Sequence, residues 1–137
     1  MIVVDANLLI TMVSGDSRGT VVLQHFNLWM SQRDALHAPA LARYEFANGL
    51  TRLIAAKAFT LDKVLDAWNQ ISRLPVAYHD SFNAYRVTEI ALALKRQSAY
   101  DASYLALAES LGAELWTLDG PLYRNASGMG FPVRLLT

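Results

Sequence analysis

Hydrophobic positions along this chain come in two spacings. Short runs rich in apolar residues occur at Ile2–Val4, Ala35–Ala38, Leu74–Tyr78, Glu114–Leu118 and Val133–Leu136. Between them, longer stretches space their apolar residues three and four apart: Ala6–Val13, Arg18–Gln32, Leu41–Ala58, Leu61–Arg73, Phe82–Arg96, Tyr100–Leu111 and Pro121–Ala126. The first set predicts strands and the second helices. Strands that alternate with helices imply right-handed crossovers and a parallel sheet covered on both faces, an α/β fold. The punctuation agrees: Pro39 precedes one helix, Gly112 stops another and Gly120-Pro121 opens the last. No repeat, low-complexity tract or Pro/Gly/Ser linker interrupts the series, so residues 1–137 are expected to form one domain.

Composition narrows the chemistry. Basic and acidic residues both number 12, so no overall field draws the molecule to nucleic acid, and any such binding must come from a local patch. The absence of cysteine excludes disulfides, zinc fingers and thiol catalysis. The first residues carry no basic leader, and no apolar stretch approaches the ~18 residues that a membrane span needs. A cytoplasmic chain without membrane contact is expected. Its 53% hydrophobic content is high for a small domain and hints at surface reserved for a partner.

Four acids stand out by position. Ligands in an open parallel sheet collect beyond the carboxyl ends of the strands. Asp5 ends the first strand and Asp119 the fourth, although each also fits a helix N-cap. Asp101 stands three residues after Ser98, the spacing of a capping box. The wheel of its helix, with Tyr100, Tyr104, Leu107, Ala108 and Leu111 marking the core-facing arc, sets Asp101 on the flank of that arc, where it either caps or lines a cleft. Glu45 shares a helix face with Asn48 and Arg52. It is either one of a solvated group or, because its helix follows the second strand, a fourth acid at the same sheet edge. Of the other eight acids, Asp80 follows the third strand, too far out to join, and the rest fall at the opposite edge, on solvated helix faces or in turns. If the four converge, each pair about 4 Å apart repels by roughly 4 kcal/mol at an effective dielectric of 20. Protonation or a bound cation must then relieve them. With oxygen donors alone that cation is hard, Mg²⁺ or Mn²⁺. His25, His37 and His79 lie in separate elements without ligand spacing and read as structural or surface residues.

The segments "IVVDANLLI", "RYEFANGL", "YDASYLALAESLGAELWTLD" and "GPLYRNA" together resemble the PIN-domain nucleases, and closely the single-domain VapC-type toxins. The resemblance covers nearly the whole chain and rests on four acids in order, each in the family's local context. It implies a three-layer α/β/α sandwich around a five-stranded parallel sheet of order 3-2-1-4-5. It also implies a Mg²⁺- or Mn²⁺-dependent endoribonuclease that leaves 5′-phosphate and 3′-hydroxyl ends. Asp5, Glu45, Asp101 and Asp119 fall on the family's acidic positions. By the resemblance, Asp5, Asp101 and Asp119 are metal ligands and Glu45 orients the attacking water. Asn7 and Thr117 are polar residues beside the ligands. Arg43, Arg52, Lys95, Arg96 and Arg124 are candidates for touching RNA phosphates, each equally readable as a solvated cation or one satisfying a helix end. A VapB-type antitoxin lying across an apolar groove, and a homodimer, are the implied partners. The runs "NLLITMV" and "VVLQHFNLWM" and the Leu41–Leu74 helix pair are compatible with that groove and equally with a thick core.

Two rival functions were weighed. An aspartyl-nucleophile phosphatase also starts from a first-strand Asp but needs an acid two residues on, where this chain has Asn7. A PIN-like module that binds RNA or protein without cutting would not need all four acids.

Overall fold

The computed structural model describes residues 1–81, 83–96 and 98–137. Five strands, β1 (Ile2–Val4), β2 (Leu36–Pro39), β3 (Val76–His79), β4 (Glu114–Thr117) and β5 (Val133–Leu135), form one parallel sheet in the order β3-β2-β1-β4-β5. β1 is central because its three residues are all apolar and can be buried on both faces. It pairs Ile2 with Leu36 on one side and Val4 with Trp116 on the other.

Seven α-helices cover the sheet: α1 (Ala6–Val13), α2 (Gly19–Ser31), α3 (Leu41–Ala55), α4 (Val64–Ser72), α5 (Ala84–Ala93), α6 (Tyr100–Leu111) and α7 (Gly120–Gly128). α1 packs with α2, α3 and α4. α6 packs on β1, β2 and β4 and against α5. The chain steps outward from β1 through β2 to β3 and then returns to β4, so the crossover rule places these two helix groups on opposite faces. The reversal leaves a switch point between the carboxyl ends of β1 and β4.

The differences from expectation have local causes. β3 starts at Val76, not Leu74, because Pro75 has no N–H to give a ladder. α3 stops at Ala55, short of Ala58, where Lys57 takes a left-handed φ of 59° and the Ala58 N–H returns to the Leu53 carbonyl. The helix expected over Leu61–Arg73 begins as a 3₁₀ turn, Leu61–Lys63. Of the helix expected from Phe82, that first residue lies outside the described residues; Asn83 caps α5 by accepting the Arg86 N–H. The capping box at α6 does not form. Its N-cap is Ala99, and Ser98 Oγ accepts the Tyr100 N–H at 3.3 Å instead. Tyr100 also does not face the core; it is 62% exposed, while Ala102, Tyr104, Leu105 and Ala108 form the buried stripe.

Candidate active site

Asp5 follows β1 and caps α1, its Oδ1 accepting the Asn7 N–H at 2.9 Å. Across the switch point, Thr117 at the end of β4 is fully buried and donates its hydroxyl to Asp5 Oδ2 at 2.9 Å. The same Thr117 oxygen accepts the Asp119 N–H at 3.0 Å, and Asp119 Oδ1 caps α7 through the Leu122 N–H. One threonine therefore ties both strand-end acids together. Capping occupies only one oxygen of Asp119, and a carboxylate offers about four lone-pair sites, so both acids keep acceptor capacity.

Glu45 arrives from the second turn of α3. α3 lies close on α1 because position 49 is glycine: a Cβ there would overlap Ile10 Cδ1. Tyr104, from the buried face of α6, donates its hydroxyl to Glu45 Oε1 at 2.6 Å. Asp101, one turn earlier on α6, is half-buried and pairs with Arg96 at 3.6 Å.

Electrostatics link the four acids. Asp5 is only 8% exposed. Burial pushes its carboxyl up to about 6 against the lowering effect of its two hydrogen bonds, and the charges of Glu45 and Asp101 add to the rise. Glu45 is raised by burial and by Asp101, with the Tyr104 hydrogen bond pulling the other way. Asp101 is raised by burial, lowered by Arg96 and raised again by Asp119. The Tyr104 hydroxyl is pushed far up by burial and by the neighbouring Asp5 and Glu45. Acids raised together by burial and by one another at a cleft mark a candidate functional site. Among the described residues, no three acidic or imidazole groups stand pre-set around one metal position.

The basic candidates divide. Arg96 is held on Asp101, and Arg124 folds back over Gly120 at the head of α7. Lys95 is exposed and ends α5 with a left-handed φ of 56°. Arg43 lies over the Tyr78 ring, 4.6 Å from its centre. Arg52 sits in the last turn of α3, about 10 Å along the helix from Glu45, where it matches the helix dipole. Asn7 is exposed at the head of α1. Sequence reasoning missed two features. Tyr104 reads as core but also holds Glu45, and its one-turn spacing from Asp101 was the available signal. His37 and His79, treated as unrelated, touch through Nδ1 and Nε2 at 2.9 Å because β2 and β3 are neighbours.

The fold and the acids at its switch point define a known class. A family model described as "PIN domain" matches residues 2–127, and the chain belongs to that family. Among its relatives, a protein named ribonuclease VapC9 from Mycobacterium tuberculosis is 35% identical over 124 residues, covering 87% of this chain and 86% of that one. Ribonuclease VapC3 from Pyrobaculum aerophilum is 36% identical over 98 residues, covering 68% and 72%. The crystal structure of Mycobacterium tuberculosis VapC20, described as a sarcin-ricin loop cleaving toxin, superposes with a TM-score of 0.62 at 22% identity over 96% of each chain, a likeness of fold.

Proposed function

We propose that the protein is an endoribonuclease, the toxin component of a VapBC-type toxin–antitoxin system, which hydrolyses RNA phosphodiester bonds at the site formed by Asp5, Glu45, Asp101 and Asp119. The observation that carries this reading is the gathering of Asp5, Glu45 and Asp101, each raised chiefly by burial and further by the charge of a neighbouring acid, at the switch point of a PIN domain. The donor set fits a hard divalent cation, Mg²⁺ or Mn²⁺. Every candidate ligand is an oxygen, and Asp5 is buried beside two like charges that only a cation or a proton relieves. Asp5, Asp101 and Asp119 would hold it. When bound, the ion lowers the pKa of water and offsets charge on the departing 3′ oxygen.

The chain's own residues do the rest. Thr117 fixes the Asp5 carboxylate and the Asp119 backbone in one arrangement. Tyr104 keeps Glu45 facing the cleft, where Glu45 orients the attacking water and accepts its proton. Asn7 would hydrogen-bond a neighbouring carboxylate or water. Arg96 on Asp101 and Arg124 at the head of α7 receive the phosphates; Lys95 extends that patch. Attack by water leaves the 2′-hydroxyl idle, so the products carry 5′-phosphate and 3′-hydroxyl ends.

A VapB-type antitoxin and a second copy of the chain are the partners this reading implies, in the cytoplasm. Support comes from apolar side chains left in the open: Leu23 and Leu28 on α2, and Leu61 and Leu65 around the start of α4. Of the two readings of the run "NLLITMV", groove or thick core, the burial favours core, with Leu8 and Leu9 fully buried. No helix among the described residues is long and apolar enough to cross a membrane.

The test is direct. Purified protein incubated with single-stranded RNA and Mg²⁺ should cut it, and both EDTA and Asp5→Asn should abolish cutting. Activity that survives both treatments ends the proposal. RNA binding without any cutting would favour a non-catalytic module, and release of phosphate from small monoesters alone a phosphatase.

A further inference from the structure

Next to the acids, a cavity of about 400 Å³ runs from Asp119 and Asn7 along α1 to the turn that leads into α2. Its volume falls in the range of small-ligand sites. Three kinds of surface line it. Ile10, Leu53 and Leu118 give an apolar wall. Asn7 and Thr11 give polar edges. Arg18 gives a flat cation whose orientation is set: Asp16 Oδ1 accepts its N–H at 2.8 Å and its Nε at 3.1 Å, and Asp16 Oδ2 accepts Nη2 at 3.0 Å. That clamp consumes both oxygens of Asp16 and leaves the Arg18 plane and Nη1 open.

Thr11 strengthens the case. Thr51 and Thr88, also within helices, each give their hydroxyl to the carbonyl four residues back at 2.8 Å. Thr11 makes no such bond among the described residues, although it is only 5% exposed. Lining the cavity and not turned back onto its own helix, the Thr11 hydroxyl is open to the edge of a ligand. The ligand it awaits is not an anion, since Asp16 and Asp119 both stand on the cavity wall. A flat, neutral, edge-polar group fits: an apolar wall and a guanidinium plane for its faces, a hydroxyl and an amide for its rim. Unpaired nucleobases are recognised in this manner, stacked on aromatic or guanidinium planes and read at their edges.

We propose that this cavity is a base-recognition subsite that takes the splayed-out nucleobase of a nucleotide flanking the scissile phosphate. Arg18 is its stacking platform, and Thr11 and Asn7 read its edge. The inference rests on the endoribonuclease reading and adds to it the residues of this chain that set base preference beside the cut.

The experiment maps cut sites in a random single-stranded RNA library, with Mg²⁺, for the unsubstituted protein and for Arg18→Ala, Arg18→Lys, Asp16→Asn and Thr11→Val, with thermal melting of each as the folding control. The unsubstituted protein is expected to favour particular bases at one position beside the cut. Thr11→Val, a near-isosteric change, should flatten the preference at that position and no other. Arg18→Ala should raise KM about tenfold, as loss of one stacking platform does, with kcat less affected. Arg18→Lys, which keeps charge but not the plane, should follow Arg18→Ala, and Asp16→Asn, which loosens the clamp, should fall between. Cutting with base profiles and KM unchanged in all four variants overturns the subsite alone. No cutting by the unsubstituted protein overturns the endoribonuclease reading and the subsite with it.

Discussion

Acids on the outer helices and at the far edge of the sheet behave differently from those at the switch point. Glu109 on α6 receives a two-pronged contact from Arg86 at 2.7 and 2.8 Å, and Glu114 on β4 receives another from Arg134 at 3.3 Å. Both pairs are well exposed, and Arg86 pulls the Glu109 carboxyl below its ordinary value. At the switch point three of the four acids are pushed upward, and Arg96 is the one cation in contact with them among the described residues. Glu109 and Glu114 are each matched by an arginine, whereas Asp5 and Glu45 in the cleft have none among the described residues. The repulsion tolerated there is what the proposed cation would relieve.

The sharpest way to break this comparison is to neutralise one acid from each region. Asp5→Asn is expected to lower RNA cutting by at least about 10²-fold, the scale for loss of one essential polar group. Glu109→Gln should leave the rate within about twofold. Comparable losses from both would mean that the cleft acids are merely structural.

Stability should run the other way. In EDTA, Asp5→Asn is expected to stabilise the fold at pH 7–8 by on the order of 1–3 kcal/mol, since each unit of raised pKa represents about 1.4 kcal/mol against the ionised form. The pH dependence has a definite sign. Asp5 holds its proton more tightly when folded, about 6 against an ordinary 3.8, so the metal-free protein gains stability as pH falls from about 7 to about 4. Glu109 is depressed when folded, and its contribution fades as pH falls through and below its ordinary 4.5. Thermal melts at pH 4.5 and 7.5 of the unsubstituted and Asp5→Asn proteins separate the two, because the gain on acidification should shrink in the variant to the part that Glu45 and Asp101 supply.

Tyr104→Phe sharpens the picture at smaller scale. It removes the donor to Glu45 while keeping the ring in the core, so activity should fall roughly tenfold, the lower end of what outer contacts contribute. The activity profile should also shift to higher pH, because the lost hydrogen bond was holding the Glu45 carboxyl down. Arg96→Gln is expected to change the rate only a few-fold and to move the profile in the same direction, since Arg96 lowers Asp101. A shift to lower pH in either variant would contradict the charge pattern.

Much of the arrangement was legible from periodicity. The bounds of β1, α1 and α6 were read to the residue, and β4 and β5 to within one, because unbroken apolar runs and 3.6-residue spacings act locally. Misreadings also had local causes: Pro75, Lys57 and Lys95 end or delay elements through backbone geometry that apolar patterning does not register. Asp5 and Asp119 are the helix caps that the sequence suggests, and a capping carboxylate keeps acceptor capacity for the second role proposed for it.

What the sequence settled by itself was the order of the elements and the presence of acids where strands hand over to helices. Tertiary structure alone decided that Thr117 would bridge to Asp5 from 112 positions away, that Tyr104 would meet Glu45 across 59, and that His37 would touch His79. Spacing along a chain governs which face of an element a residue occupies, over a few turns at most. Which faces meet depends on the reversal of strand order after β3, and that choice belongs to the packing of the whole sheet.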